Sequence, residues 1–397
     1  MSKKKVNKDI NLDLDNDITE IKKNYRNCIN SHLYIKDLSH LKTYTVDDIN
    51  SLEIDDAISL ERLSDNYKLW IHIASPAAHI EYNSFIDKSA RKLISTVYLA
   101  TSNIYMLPEL LIEKIFSLTN KDKKVSLSIG IIFNDDGSIK SSEIIQSLIK
   151  TTYQLTYDEA DELIEYAPKE EEDLSIISRL LDKRKLFRKN NGAKEILESY
   201  GKVIVNNNLP TIKVIDPTLS RLLISEAMIL YGDLISSFTK KNNIPVPYRV
   251  QEEKECIAND IVIDSKNKIL HNFLLKKNLG KTYYSSLPMN HNSLGLKSYL
   301  HATSPIRRYS DLLVHYQINR FINNQTLISK DEIDTNISEI NNLSRQNINK
   351  YREDQKNWFN KWFESNSFIS YQVIFLKWIN KYKNISLIYF VDYSISC

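Results

Sequence analysis

Five carboxylates, Asp47, Asp48, Glu53, Asp55 and Asp56, fall within ten residues between two strand-like runs, in TYTVDDINSLEIDDAISL. No other stretch narrows the choice of fold as much. An acidic loop is ordinarily a solvated turn. This one lacks the Gly and Pro of such a turn and interleaves its acids with Ile49, Leu52 and Ile54, so some of them must point inward. Buried carboxylates demand a cation. The spacing does not suit the twelve-residue calcium loop, which needs Gly at its sixth position and a terminal Glu. Mg²⁺, with Mn²⁺ as the alternate, suits better, because it takes one or two carboxylates and completes its shell with water and phosphate oxygens. Four acids in one loop suffice for two such ions, the arrangement that clamps the attacking and leaving oxygens in phosphodiester hydrolysis.

The chain around the cluster is 397 residues with 42% hydrophobic and 26% charged residues, enough to bury a substantial core. KTYTV, AISLERL, YKLWIHIAS and SLSIGIIFNDDGSIKSSEII are β-rich, the last with an Asp-Gly turn that suits a hairpin. From Asp158 the pattern is mostly of helical period: DEADELIEYA, DLSIISRLLDKRKLFRKN, LSRLLISEAMILYGDLISSFTKK and PIRRYSDLLVHYQINRFI. The expected class is therefore α+β, a mixed sheet surrounded by helices. Residues 1–42 read as an N-terminal arm, 43–323 as the main domain, and 324–397 as a polar helical stretch with a short β-containing tail, ISYQVIFLKWI and NISLIYFVDYSIS. Two strands rarely stand alone, so the tail must pack on the core or belong to something longer.

A second signal is YLHATSPIRRYSDLLVHYQINRF. Thr303 or Ser304 can cap a helix with Pro305 in its first position. Arg307 and Arg308 would then stand in the first turn, where the helix dipole disfavours cations. A phosphate bound there would meet free backbone N–H groups and a guanidinium fork together. An i,i+4 pair of Arg307 with Asp311 is the plainer explanation, and the two are compatible.

Together these segments resemble the RNB exoribonucleases, the ribonuclease II and ribonuclease R family. The likeness runs from about Thr43 to Phe321 in the family's motif order: TVDDINSLEIDDAIS, WIHIASPAAHI, STVYLATSNIYMLPELL, FSLTNKDKKVSLSI, LTYDEADELI, LLISEAMILYGDLI and YLHATSPIRRYSDLLVHYQINRFI. It implies an RNB catalytic domain that degrades single-stranded RNA from the 3′ end to nucleoside 5′-monophosphates. Asp47 and Asp56 would ligate a catalytic Mg²⁺, and Glu53 would serve a second metal position. Asp55 would hold the 3′-terminal hydroxyl, and Arg307 would stabilise charge on the scissile phosphate, with Arg308 beside it on the substrate. Tyr98 would stack on a base, while Tyr157 and Glu226 would clamp the terminal nucleotide. Ile196 aligns with the second ring of the family's aromatic pinch, and Tyr200 could replace it if NNGAKEILESYGK is helical. Glu226 lies in a helix apolar on most faces, where an unpaired carboxylate would cost several kcal/mol. His72 and His301 fall at family positions without a chemical role.

Three departures stand out. Glu53 replaces the family's usual Asp, Ser75 an Asp and Gly232 an Asn. The cold-shock-type modules that usually precede the domain are not in this sequence, and the C-terminal OB-fold is reduced to the tail runs. A catalytically weak RNA-binding or scaffold protein is one rival reading, and a phosphoesterase of short oligoribonucleotides is another. A net charge of +3 does not by itself mark a nucleic-acid binder, so the polyanion must meet a local patch. Cys28, Cys256 and Cys397 form neither a disulfide framework nor a metal motif. No apolar run reaches the ~18–20 residues of a membrane-spanning helix, and no targeting segment is evident. The expected setting is the cytoplasm, with no membrane partner and protein partners left open.

Overall fold

The computed structural model describes residues 15–23, 25, 35–253 and 267–397. The arm read over 1–42 lies mostly outside them, as do Cys28 and Cys256, while Cys397 is free and exposed. In chain order the main domain opens with strands β1 (Lys36–Asp37), β2 (Thr43–Asp47), β3 (Asp56–Arg62) and β4 (Tyr67–Ala74). Helix α1 (Phe85–Leu93) and the short pair β5 (Val97–Tyr98) and β6 (Asn103–Ile104) follow. Next come β7 (Lys124–Phe133), β8 (Ile139–Ile149), β9 (Tyr153–Thr156), α2 (Tyr157–Tyr166) and α3 (Asp173–Asn190). A hairpin of β10 (Tyr200–Asn206) and β11 (Leu209–Ile215) leads to α4 (Leu219–Lys241), β12 (Tyr248–Glu253), α5 (Lys268–Asn278), β13 (Leu279–Ser285) and α6 (Tyr309–Ile322). The long α7 (Lys330–Ser365) and β14 (Val373–Asn380), β15 (Ile385–Phe390) and β16 (Ile395–Ser396) complete the chain.

Seven strands form a mixed sheet in the order β1-β8-β7-β4-β3-β2-β9, antiparallel in its middle and parallel at both edge pairs. Alternation along each strand sends its residues to two cores. Ile71 and Ile73 meet Leu127, Ile129, Leu174, Ile177, Leu223 and Leu230 on the face covered by α2, α3 and α4. Trp70 and Ala74 meet Ile86, Ile112, Leu312 and Leu313 on the face covered by α1 and α6. His72 lies between Ser59 and Ser128 inside the sheet, and burial pushes its pKa down to about 3, so it is a neutral structural residue.

Helix α4 corrects one expectation: it is long and apolar enough to cross a membrane. Twelve of its residues are buried in the fold, Glu226 among them, which accounts for an apolar surface on most sides. The replacement of Asn by Gly232 also has a reason here. A Cβ at that position would stand 2.4 Å from the Leu300 carbonyl oxygen, so the helix approaches the 299–300 backbone closely. The tail holds three strands rather than two. It packs through Phe390 onto Phe359 and Trp362 of α7 and Val203 of the β10–β11 hairpin.

Candidate active site

β2 ends at Asp47 and β3 begins at Asp56, so the antiparallel pairing of these strands brings both carboxylates to one end of the sheet. The loop between them is pinned from below. Ile54 is 1% exposed; its N–H donates to Ser117 Oγ and its carbonyl accepts from the Leu118 N–H, while Ser117 Oγ donates 2.5 Å to the Leu52 carbonyl. Ile49 points out, at 72% exposure, so only part of the interleaved apolar set faces inward.

Each acid then meets a different fate. Asp55, 2% exposed, accepts from Arg307 Nε on Oδ2 at 2.9 Å and from the Ile306 backbone N–H on Oδ1 at 3.0 Å. Each oxygen thus accepts one hydrogen bond within the chain, and the carboxylate holds Arg307 in place. Burial raises its pKa to about 7, against the pull of Arg307. Glu53 accepts from Thr96 Oγ1 at 2.6 Å and from the Tyr98 hydroxyl. Both Glu53 oxygens thus carry a hydrogen bond, and the side chain reaches the Tyr98 wall. Asp47 has a buried Oδ2 with no partner; burial and the nearby Asp56 and Asp55 push its pKa well up. Asp56 is raised to about 6 by burial, moderated by Arg307 and Arg308.

Two desolvated carboxylates and an orphaned oxygen fit a hard divalent cation. Among the described residues no three such side chains form a closed cage.

The cleft over these acids has a volume of about 400 Å³ and is lined by Asp47, Glu53, Tyr98, Tyr157, Lys202 and Arg307, among others. An adjoining one of about 410 Å³ shares Asp47, Asp48 and Tyr157 and adds Lys213 and Arg221. Tyr157 opens α2, and Arg221 lies 3.7 Å from its ring centroid while donating 2.6 Å to Asp48. The structure thus brings together Asp47, Glu53, Asp55, Asp56, Tyr98, Tyr157 and Arg307.

Three residues stand differently. α6 begins at Tyr309, not at Pro305, so Arg307 and Arg308 precede the helix and the dipole argument does not apply to them. Arg308, not Arg307, pairs with Asp311, at 2.8 Å, and also donates to Thr303 and Ser304. These polar contacts tie the turn to the helix. Glu226 is held by Arg188, whose Nε donates 2.9 Å to Oε1 and whose Nη2 donates 2.5 Å to Oε2. No hydrogen bond joins Glu226 to Tyr157 among the described residues, and the carboxylate expected to clamp a ribose is already paired. Ile196 sits half-buried in the irregular stretch 193–199, and Tyr200 starts a strand, so the helical route that would align the two is absent. Sequence reasoning also passed over Arg221, Lys202 and Lys213. YGKVIVNNNLPTIKVIDPTLSR has no unusual share of Lys and Arg, so nothing local singled these residues out or said which face they would present.

A model of the RNB domain family matches residues 35–324. The chain belongs to the RNB domain family. It is 31% identical over 355 residues to an uncharacterized ribonuclease of Synechocystis sp., covering 89% of this chain and 53% of that protein. It is 33% identical over 293 residues to the chloroplastic/mitochondrial ribonuclease II of Arabidopsis thaliana, covering 72% and 36% respectively. The chain thus spans about a third to a half of the length of these relatives. Among solved structures, Mycoplasma genitalium RNase R in complex with ribose-methylated single-stranded RNA superposes with a TM-score of 0.82 at 22% identity, over 92% of this chain and 64% of that one. Yeast Ssd1, described as a pseudonuclease, superposes at 0.73 with 17% identity, over 92% and 50%. These two likenesses establish the fold. RNB-family nucleases are generally metal-dependent, which the oxygen-only acid set of this chain suits.

Proposed function

We propose that this chain is a metal-dependent exoribonuclease that removes nucleoside 5′-monophosphates from the 3′ end of single-stranded RNA. The observation that carries the reading is the joining of two half-buried, poorly compensated carboxylates, Asp47 and Asp56, to a guanidinium contributed from some 250 residues away. Asp47 and Asp56 would hold Mg²⁺, or Mn²⁺ in its place, which when bound supplies Lewis-acid polarisation and an activated water. Arg307 uses only Nε on Asp55, leaving its two terminal nitrogens for the oxygens of a scissile phosphate. Fixed by Asp55 before substrate arrives, it would meet charge developing on that phosphate without reorganising. Tyr98 and Tyr157 supply rings on either side, each stacked base being worth ~1–3 kcal/mol. The 3′ polarity and the single-stranded substrate rest on family membership, supported by the RNA-bound Mycoplasma relative.

The likeness to a pseudonuclease favours a second reading, an RNA binder without turnover. Retention of Asp47, Asp55 and Asp56, with Arg307 held on Asp55, weighs against it. The test is incubation of single-stranded RNA, 5′-labelled for the gel and uniformly labelled for thin-layer chromatography, with Mg²⁺, with Mn²⁺ and with EDTA. A divalent-dependent ladder with 5′-monophosphates is expected. Binding without release of mononucleotides under any divalent ion would establish the second reading. A rate that rises as the substrate shortens would instead point to an oligoribonucleotide phosphoesterase.

A further inference from the structure

The wall of the cleft that faces the acids is the β10–β11 hairpin. Its strands are joined by Asn207 and Asn208, both at positive φ (51° and 61°), as a two-residue turn requires. The register sets Lys202 directly opposite Lys213. Side chains alternate across a strand, and the neighbouring pair, Val203 and Ile212, packs into the cluster of Phe359, Trp362 and Phe390. The two lysines therefore share the other face. Lys202 lines the cleft that contains Glu53, Tyr98 and Arg307, and Lys213 lines the one that contains Tyr157 and Arg221. Asp47 and Asp48 border both.

Like charges directly opposite on paired strands are destabilising, so this arrangement costs the hairpin stability. The cleft acids do not compensate it through contact. Asp48 is paired with Arg221, Asp55 with Arg307, and Glu53 is hydrogen-bonded to Thr96 and Tyr98. Neither lysine makes an ion pair among the described residues, and Asp47 and Asp56 are the residues assigned above to the cation. Asp158 and Asp216 also line the second cleft, Asp216 accepting from Ser199, and neither forms an ion pair with the lysines among the described residues, so a bound polyanion can meet both ammonium groups.

We propose that Lys202 and Lys213 bind the phosphodiester backbone of the terminal nucleotides, Lys202 on the Arg307 and Tyr98 side and Lys213 on the Arg221 and Tyr157 side. This rests on reading the cleft as the RNA site. The tail acquires a role from the same geometry, because it fixes the wall that carries these lysines. Gly201 N–H donates 2.8 Å to the Ser394 carbonyl, and Gln355 of α7 bonds both the N–H and the C=O of Val203, at 3.0 and 3.3 Å. A Cβ on Gly201 would lie 2.2 Å from the Tyr393 carbonyl oxygen, so the hairpin and the tail approach backbone to backbone. α7 holds the opposite wall as well, Asp354 accepting from the Ala100 N–H at 2.7 Å, two residues beyond Tyr98.

The experiment is fluorescence anisotropy with a 5′-fluorescein oligoribonucleotide in EDTA across a KCl series, for the unmutated protein, Lys202→Ala, Lys213→Ala, the double variant and Lys202→Arg. Single-turnover cleavage in Mg²⁺ is measured beside it. Each alanine should weaken binding severalfold at low salt and reduce the slope of log Kd against log salt by about 0.7, the double variant by about 1.4, while Lys202→Arg keeps the original slope. A DNA oligomer of the same sequence should lose as much, since backbone contacts do not sense the sugar. An unchanged slope in the double variant overturns the proposal even if the protein cleaves RNA. A reduced slope in a protein that never cleaves would remove the hydrolase reading and leave the lysines in place. Failure of the unmutated protein to bind RNA at all overturns both.

Discussion

Substitution of Asp55 separates a group that positions Arg307 from one that contacts substrate directly. Asp55→Asn keeps the size of the side chain but presents one acceptor and one donor. Whichever way the amide turns, either Arg307 Nε–H or Ile306 N–H faces an N–H instead of an oxygen. Breaking a buried ion pair costs about 3–5 kcal/mol. Because the Arg307 side chain keeps 38% of its surface exposed, about 2 kcal/mol is the better figure here. The melting temperature should fall by about 4 °C or less in a chain of this length. The chemical step should suffer more, by the ~10²–10³ expected when one preorganised donor to a developing charge is lost. The deciding measurement is a double-mutant cycle of Asp55→Asn and Arg307→Ala in single-turnover cleavage, with RNA affinity followed separately in EDTA. If Asp55 acts through Arg307, its substitution should change little once Arg307 is gone, so the coupling should equal nearly the whole single-variant loss, about 3–4 kcal/mol. Fully additive losses would refute that and return Asp55 to direct contact with substrate. Undiminished cleavage by Asp55→Asn would remove the site assignment altogether.

Other consequences can be checked with the same protein. Asp55 and Asp56 have folded-state pKa values near 7 and 6, above their ordinary value. The metal-free fold therefore binds more protons than the unfolded chain between about pH 4 and 7, and their contribution to stability falls as pH rises through that window. Mg²⁺ needs the ionised forms, so the rise in melting temperature on adding it should be larger at pH 8 than at pH 5.5; an equal rise at both would contradict the metal site. Arg308→Lys should lower the melting temperature more than Arg307→Lys, because the Arg308 guanidinium donates to Asp311, Thr303 and Ser304 whereas Arg307 donates to Asp55 alone, and Arg307→Lys should lower the single-turnover rate more. The opposite order in rate would place the wrong arginine on the phosphate. Gly201→Val should push the hairpin from the tail and slow cleavage with the lysines intact, and a rate equal to that of the unmutated protein would show that the tail does not set the wall. Tyr200, 53% exposed at the start of β10, remains available as a stacking surface although no helix delivers it. Tyr200→Ala should lengthen the end products seen on a gel and Ile196→Phe should leave them unchanged; a shortening by Ile196→Phe alone would place the second ring at Ile196.

What the sequence determined by itself was local or ordered along the chain. Period-two runs specified strands that the sheet contains, and the apolar acids-and-isoleucines loop announced buried carboxylates before any neighbour was known. The motif order was enough to reach the RNB family, because seven short patterns in register do not depend on how they pack. Tertiary structure decided which partner each charge obtained. Asp311 attracts either arginine by spacing alone, and only the turn at 305–308 gives it Arg308 and sends Arg307 across to Asp55, 252 residues away in sequence. The same holds for Glu226, whose helix announced that a cation was needed but not that Arg188 of α3 would supply it. Lys202 and Lys213 show the limit most plainly. Strand alternation puts them on one face of a hairpin, but which face meets the acids is settled by Val203 and Gly201 docking on a tail nearly two hundred residues later. Contacts between distant segments leave no period in the sequence, since they arise from the docking of complete elements rather than from the spacing within any one of them.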